Sequence, residues 1–259
     1  MIPSYFIAHG SPLLAIEDSE YTKFLANLVE TLPKPKAIVI FSAHWETPVQ
    51  AVSSVDEYSM IYDFGGFPDI MYTLKYPAKG SREVTKEIIE LLSQHQVPFQ
   101  MDTSRGIDHG AWVVLSLLYP DADIPVVAMS VNQNLEPDQQ YKIGQSLSSL
   151  REKDVMIIGS GGTVHNLRAL NWSDNGEVDQ KALEFDEWLA KRLNNWDTQS
   201  LFSYYTLAPH AELAVPRYGK EHFVPLIYAM GAADDNRKAT LLHRSYRYGN
   251  LSHSVWQFG

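Results

Sequence analysis

Apolar runs alternate with amphipathic segments along most of this chain. Six short runs have the length of β-strands, and several are apolar at nearly every position, which is typical of a sheet covered on both faces. The predicted strands are Ser4–Ala8, Ala37–Ser42, Val49–Ser53, Phe99–Asp102, Ile124–Ser130 and Val155–Ser160. Helical spacing of apolar residues predicts helices at Tyr21–Thr31, Ser81–Gln94, Gly110–Tyr119, Pro137–Glu152, Asp179–Asn194 and Lys220–Met230.

This order of elements predicts an α/β protein. Strands that alternate with helices favour a central, mostly parallel sheet with helices on both faces, that is, three α/β/α layers. The C-terminal segment "ATLLHRSYRYGNLSHSVWQFG" resembles two strands joined by a turn at Gly249 and Asn250, which would make the sheet mixed. No repeat or linker interrupts the chain, so we expect a single domain over residues 1–259.

Three of the apolar runs lead to a histidine. His9 follows the first run, His44 the second, and His165 follows "VMIIGSGG". Ligands of open α/β sheets bind beyond the carboxyl ends of the strands, so parallel neighbouring strands would bring these imidazoles together. The alternative is that each histidine caps a strand or lies in a loop, but three repeats of one pattern favour a shared site.

Composition narrows the chemistry. The formal net charge of −10 argues against nucleic acid and anionic membranes as partners. No apolar run approaches the length of a membrane span and no secretory signal is visible, so a cytoplasmic location is expected. The chain has no cysteine, so any transition metal must be bound by His, Asp or Glu.

Other motifs offer further candidates. Glu221 and His222 stand at the start of an apolar helix, where either could complete a metal site or form a solvated pair. In "GIDHGAW", His109 begins a helix and Asp108 is a candidate substrate contact or a simple N-cap. The aromatic residues of "YDFGGFP" suit either a ring-binding pocket or a packed loop. "GSGGTVHN" lacks the lysine of a phosphate loop and the GxSxG pattern of serine hydrolases.

Taken together, the motifs resemble a known family. "HGSP", "SAHW", "DFGGFP", "YPAKGS", "DHGAW", "YPDADIPVV", "GSGGTVHNL" and "EHFVPLIYAMG" occur in the order seen in DODA-type extradiol aromatic ring-opening dioxygenases, which are LigB-like class III enzymes. The resemblance covers nearly the whole chain. It implies a LigB-like, phosphorylase/hydrolase-like three-layer fold and one divalent metal ion per chain, Fe(II) for ring cleavage or Zn(II) as the bound form.

The resemblance also implies roles for individual residues. His9, His44 and His222 would bind the metal, and His165 would be the catalytic acid/base. His109 would contact substrate and take part in catalysis. The candidate substrate contacts are completed by Asp108, Phe64 and Trp45. Protocatechuate-type relatives use a glutamate as third ligand, so a metal contact from Glu221, or from His165, stays open.

The expected function is therefore extradiol cleavage of a catechol such as 4,5-DOPA, with O₂ as second substrate. Two alternatives remain on the residues alone: a zinc-dependent hydrolase, in which the same histidines activate water, and a non-catalytic metal-binding protein of the Memo type. The sequence makes no prediction about oligomeric state.

Overall fold

Eight strands form one mixed sheet in the computed structural model of the protein, which describes residues 1–173 and 176–259. From one edge to the other the strand order is β4-β3-β5-β2-β6-β1-β8-β7. The strands are β1 (Ser4–Ala8), β2 (Ala37–Glu46), β3 (Gln50–Ser53), β4 (Phe99–Asp102), β5 (Val126–Val131), β6 (Val155–Gly161), β7 (Ala239–Arg247) and β8 (Leu251–Phe258).

The centre of the sheet is parallel, as predicted. β2 pairs in parallel with β5 and with β6, and β6 pairs in parallel with β1. The C-terminal hairpin β7–β8 joins the sheet antiparallel to β1, which confirms the expected mixed character. One antiparallel contact was not predicted: β3 lies antiparallel to β5, so the other side of the sheet is mixed as well.

Helices cover both faces, which confirms the three layers. Ile38 and Ile40 of β2 pack in the core beneath α1 and α3, whereas Val39 and Phe41 pack beneath α2, α4 and α9. None of the helices in the described part of the chain is long and apolar enough to cross a membrane. The helices are α1 (Glu20–Leu28), α2 (Arg82–Gln94), α3 (His109–Leu118), α4 (Pro137–Ser146), α5 (Gln180–Asn194), α6 (Thr198–Phe202), α7 (Tyr204–Leu207), α8 (Ala211–Ala214) and α9 (Val224–Gly231).

Several helix boundaries follow from local chemistry. The side chains of Ser81 and Asp179 cap α2 and α5 by accepting backbone hydrogen bonds, as the sequence indicated. The predicted helix Pro137–Glu152 is wrong beyond Ser146, where a 3₁₀ turn (Ser148–Lys153) replaces it. Serine side chains compete for backbone hydrogen bonds, and the Ser146 hydroxyl donates to Ile143 O here.

The predicted helix Lys220–Met230 is also divided. A 3₁₀ turn (Lys220–His222) comes first, and α9 begins only at Val224. Pro225 has no N–H, so it is tolerated in the first turn of a helix but not within one. The short helices α6, α7 and α8 were not predicted, since each is too short to show a helical repeat.

Candidate active site

The parallel strands bring three predicted histidines to one edge of the sheet. The strands β2, β6 and β1 are neighbours, and their carboxyl ends carry His44, His165 and His9. His9 directly follows β1, and His165 lies four residues beyond the end of β6. His44 differs from the expectation because it lies inside β2, which continues to Glu46 past an irregularity in its pairing with β5.

His222 reaches this edge from the 3₁₀ turn before α9. Gly162 N donates a hydrogen bond of 2.8 Å to His222 O, which joins the turn to the end of β6. A Cβ on Gly161 would lie only 2.1 Å from the same carbonyl oxygen. The glycines of "GSGGTVHN" therefore permit close packing of β6 against the turn that carries His222.

His9, His44 and His222 form a compact cluster. One ring nitrogen from each lies within 4.8 Å of the others. The Nε2 atoms of His9 and His44 are 3.1 Å apart, and the ring of His222 has its centroid 5.1 Å from that of His9 and 5.0 Å from that of His44. All three predicted metal ligands thus meet at one point.

Neighbouring oxygens determine which nitrogen of each ring points into the cluster. The Ser160 hydroxyl donates to Gly110 O, so its oxygen accepts from His9 Nδ1, 3.1 Å away. Carboxylate oxygens of Asp63 and Glu221 lie 3.3 Å from His44 Nδ1 and 2.9 Å from His222 Nδ1. Each Nδ1 therefore carries the proton, and each Nε2 has a free lone pair.

This arrangement fits a divalent metal. His222 Nε2 is buried and has no hydrogen-bond partner among the described residues. The lone pairs of His9 and His44 face each other across 3.1 Å, which is unfavourable without a cation between them. Burial and the neighbouring imidazoles lower the pKa of His9 and His222 well below the usual range, and that of His44 to about 4. Neutral imidazoles are the form that binds metal.

Asp63 connects the cluster to His109. Its Oδ1 accepts hydrogen bonds from the backbone N–H of His109 (3.0 Å) and from His109 Nδ1 (2.9 Å), while Oδ2 lies near His44 Nδ1. Burial opposes ionisation of this carboxyl, but the contacts with His109 outweigh it and lower the pKa of Asp63 to about 2. Sequence reasoning missed Asp63; the signal was an acid among the aromatic residues of "YDFGGFP".

Together with the two histidines it contacts, Asp63 forms a second group able to hold a cation. In that group the carboxylate is already hydrogen bonded to His109, whereas the first cluster contains a buried nitrogen without a partner. The first cluster is therefore the stronger metal candidate.

His165 lies beside the cluster. Its ring stacks on that of His222 at a centroid distance of 3.6 Å and an interplanar angle of 7°. Its backbone N–H donates to Ala214 O, which holds the loop after β6. Burial, with repulsion from His44 and His109, lowers the pKa of His165 to about 4, so the ring is neutral at physiological pH.

Two predicted substrate contacts lie elsewhere. Asp108 caps α3 by accepting from Ala111 N, and it also accepts from the Ser42 hydroxyl and from Arg105. Trp45 packs in the core with the Arg105 guanidinium 5.1 Å from its ring centroid. Successive side chains of a strand point to opposite faces, so Trp45 turns away from the side on which His44 lies. The structure brings neither residue to the cavity wall.

A cavity of about 410 Å³ opens above the histidines. The predicted residue Phe64 lines it, and the ring of Phe64 packs edge-on against His109 at 5.9 Å. Tyr62, Tyr72 and Trp112 surround Phe64 without lining the cavity. The lining residues are His9, Gly10, Ser11, Pro12, Leu13, His44, Asp63, Phe64, Phe67, His109, His165, Leu167, Leu170, Trp172, His222, Tyr248 and Leu251.

Comparisons with known proteins agree with this geometry. Residues 3–259 match the family described as the catalytic LigB subunit of aromatic ring-opening dioxygenase. The 4,5-DOPA dioxygenase extradiol of Beta vulgaris is 44% identical, over 98% of this chain and 96% of its own. The protein of the same name from Escherichia coli is 35% identical, over 100% of this chain and 95% of its own. The crystal structure of an uncharacterized protein from Escherichia coli K12 superimposes with a TM-score of 0.85 at 32% identity, covering all of both chains.

Proposed function

The chain belongs to the LigB family of aromatic ring-opening dioxygenases and is an extradiol ring-cleavage enzyme; on this premise we propose that one divalent metal ion, bound by His9, His44 and His222, serves to open a catechol-type substrate such as 4,5-DOPA with O₂. The observation that carries the proposal is the cluster of three imidazole nitrogens within 4.8 Å, one of them buried without a partner. When bound, the metal would supply the Lewis acidity that favours a deprotonated catechol.

The metal is Fe(II) in the proposed reaction. Three histidine nitrogens also suit Zn(II), which we expect as an alternative bound form. Glu221 is not proposed as a ligand, because its Oε1 contacts the Nδ1 of His222, on the side of that ring away from Nε2. We assign it the role of holding His222 in the correct tautomer.

Two further histidines act on the substrate in this proposal. His165 accepts a proton from a catechol hydroxyl and returns it after ring opening. Its place in the cavity wall, next to the cluster but outside the three-nitrogen group, supports this role. His109 has Nδ1 bonded to Asp63, so its Nε2 is left to contact the substrate oxygens.

The names of the relatives favour the dioxygenase over the two alternatives. Zinc-dependent hydrolysis and non-catalytic metal binding both use the same three histidines, so the cluster by itself does not separate them. Relatives matched over nearly their full length are named dioxygenases, and one of them is a plant protein at 44% identity.

Oxygen uptake tests the proposal. Metal-free protein is loaded with Fe(II) or with Zn(II), and oxygen consumption is measured with a panel of catechols while the coloured ring-opened product is followed by absorbance. We expect stoichiometric uptake and product with Fe(II) and none with Zn(II). Absence of uptake with every catechol, or turnover of the zinc form without O₂, would contradict it.

A further inference from the structure

The first turn of α3 packs directly on the end of β2. An added Cβ on Gly110 would lie 2.7 Å from the hydroxyl oxygen of Ser42 and 3.0 Å from Cδ2 of the His44 ring. The rings of His44 and His109 lie beside each other at this contact, with their centroids 4.0 Å apart. The distance between these two histidines therefore depends on how the start of α3 is seated on β2.

Asp108 joins the helix to the strand. Its Oδ1 accepts a hydrogen bond of 2.5 Å from the Ser42 hydroxyl in β2 and one of 3.2 Å from Ala111 N in α3. The Ser42 oxygen in turn accepts from His44 N, 3.2 Å away. The side chain of Asp108 is only 3% exposed, so its charge must be compensated within the protein.

Arg105 compensates this charge and contacts His44 as well. Its Nη2 donates to Asp108 Oδ2 and to the backbone oxygen of His44, each at 3.1 Å. The guanidinium also lies over the ring of Trp45, 5.1 Å from the ring centroid. One side chain thus contacts both the strand that carries His44 and the N-cap of the helix that begins at His109.

The same two histidines are also linked through their rings. Asp63 contacts the Nδ1 atoms of both His44 and His109, which orients the two imidazoles. Arg105 and Asp108 act on the backbone instead, because their partners are the His44 carbonyl and the start of α3. The place of an imidazole depends on its backbone as well as on the orientation of its ring, so the two links have different effects.

We propose that Arg105, acting through Asp108 and the His44 carbonyl, is a positioning residue that sets the distance between His44 and His109. Its consequence for the reaction rests on the proposed function, which assigns the metal to His44 and a substrate contact to His109. A bound catechol must meet the metal and His109 at the same time, so a change in this distance weakens catechol binding more than metal binding.

Substitutions separate the hydrogen bonds of Arg105 from its bulk. Arg105→Met keeps an unbranched apolar stem over Trp45 without any donor, whereas Arg105→Lys keeps a cation that can donate. Arg105→Met combined with Asp108→Asn removes both charges, so that no buried carboxylate loses its partner. Arg82→Met is the matched control, since it breaks an exposed ion pair with Asp56 at the start of α2.

Resonances of the histidine rings test the positioning itself. Nitrogen NMR spectra of metal-free protein with labelled imidazoles are compared, after thermal melting has shown that each variant is folded. We expect the resonances of His44 and His109 to shift in Arg105→Met and in the double variant, and to stay near the wild type in Arg105→Lys and Arg82→Met. Unchanged resonances of both rings in the folded double variant would overturn the inference.

Binding of 4-nitrocatechol tests the consequence for the substrate. Its absorbance changes on deprotonation, so titration of the Zn(II)-saturated full chain gives a Kd without ring cleavage. We expect Arg105→Met to raise this Kd by roughly 10–100-fold, with partial recovery in Arg105→Lys. The affinity for Zn(II) should stay close to that of the wild type, because the Nδ1 contacts of His9, His44 and His222 are untouched.

The two measurements distinguish this inference from the proposed function. A role in stability alone would lower the melting temperature of Arg105→Met and leave the Kd for 4-nitrocatechol unchanged, and that result would overturn the inference. If the wild type itself binds no 4-nitrocatechol, the proposed function is contradicted, whereas the NMR comparison, which involves neither metal nor turnover, still decides the positioning.

Discussion

Contacts between single oxygen atoms and ring nitrogens decide which nitrogen each histidine presents to the cavity. Ser160, Asp63 and Glu221 occupy the Nδ1 atoms of His9, His44 and His222. The Nε2 lone pairs are thereby left for a cation. At this scale the chemistry depends as much on these supporting oxygens as on the imidazoles, and two predictions follow from it.

His165→Ala is expected to separate metal binding from turnover. The ring stacks on His222 but is not part of the three-nitrogen cluster, so the variant should keep its metal content. Loss of the proton acceptor should lower kcat by roughly 10²–10⁴. Metal analysis and steady-state oxygen uptake measure the two quantities. His210→Ala, which removes a surface histidine paired with Glu184, is the control. Near-normal turnover of His165→Ala would refute the assignment.

Asp63→Asn is expected to weaken the contacts that hold the rings of His44 and His109 in place. The amide has one acceptor oxygen where the carboxylate has two, so the contacts with the two rings cannot both be kept in their present form. Metal affinity or kcat should fall by roughly 10–100-fold. Asp69→Asn, in the exposed 3₁₀ turn Asp69–Tyr72 nearby, is the matched control. A purely structural role would lower the melting temperature but leave the metal affinity of the folded protein unchanged.

At the scale of elements, the site depends on how closely the end of β6 approaches the turn Lys220–His222. Gly159 and Gly161 both face backbone at this contact, because an added Cβ would lie 2.1 Å from Pro225 O or from His222 O. A strand and a turn from distant parts of the chain can meet this closely only without side chains between them.

Gly161→Ala is expected to displace His222. The added methyl group would meet a carbonyl oxygen, so β6 and the turn must move apart, at a cost of about 1–3 kcal/mol in the free energy of unfolding. Metal affinity should also fall, because His222 moves away from His9 and His44. Denaturant unfolding and metal titration measure both effects. Gly65→Ala is the control, since no heavy atom lies within 4 Å of its added Cβ. Equal metal affinity in the two variants would contradict this account.

For the whole molecule, metal binding should be visible as stability. The fold holds four imidazoles close together, two of them buried (His9 and His222) and two half-buried (His44 and His165), and a ligand that binds only the folded state stabilises it. Metal at 100 times its Kd contributes about 2.7 kcal/mol, which corresponds to roughly 5–10 °C in the melting temperature of a chain of this size.

Calorimetry with and without Zn(II) measures this shift. We expect chelation to lower the melting temperature, and His222→Ala to lose the dependence on metal. His95→Ala, a substitution of an exposed histidine at the end of α2, should retain it. A melting temperature that does not respond to metal would argue against the cluster as a metal site.

The exclusion of nucleic acid and membranes as partners, based on the net charge of −10, stays a prediction.

The sequence by itself determined the parallel core and the delivery of histidines to one edge. Apolar runs such as Ile38–Phe41 predict buried strands, and neighbouring parallel strands end at the same edge, so the sequence predicted that His9, His44 and His165 converge. The sequence also offered Glu221 and His222 at the start of an apolar helix, and the resemblance to ring-opening dioxygenases selected His222 as the third ligand.

The tertiary structure decided what local patterns cannot express. Asp63 supports His44, which is 19 positions away in the sequence. Ser160 supports His9, which is 151 positions away. Asp108 and Trp45 are close in sequence to site residues, yet Asp108 is hydrogen bonded to Ser42 and Trp45 packs in the core. The cavity wall, too, is assembled from segments that are far apart in the sequence, such as those that carry Leu13, Phe64 and Leu170. Sequence periodicity reports which face of an element is buried, but only packing determines which distant side chains share a cavity.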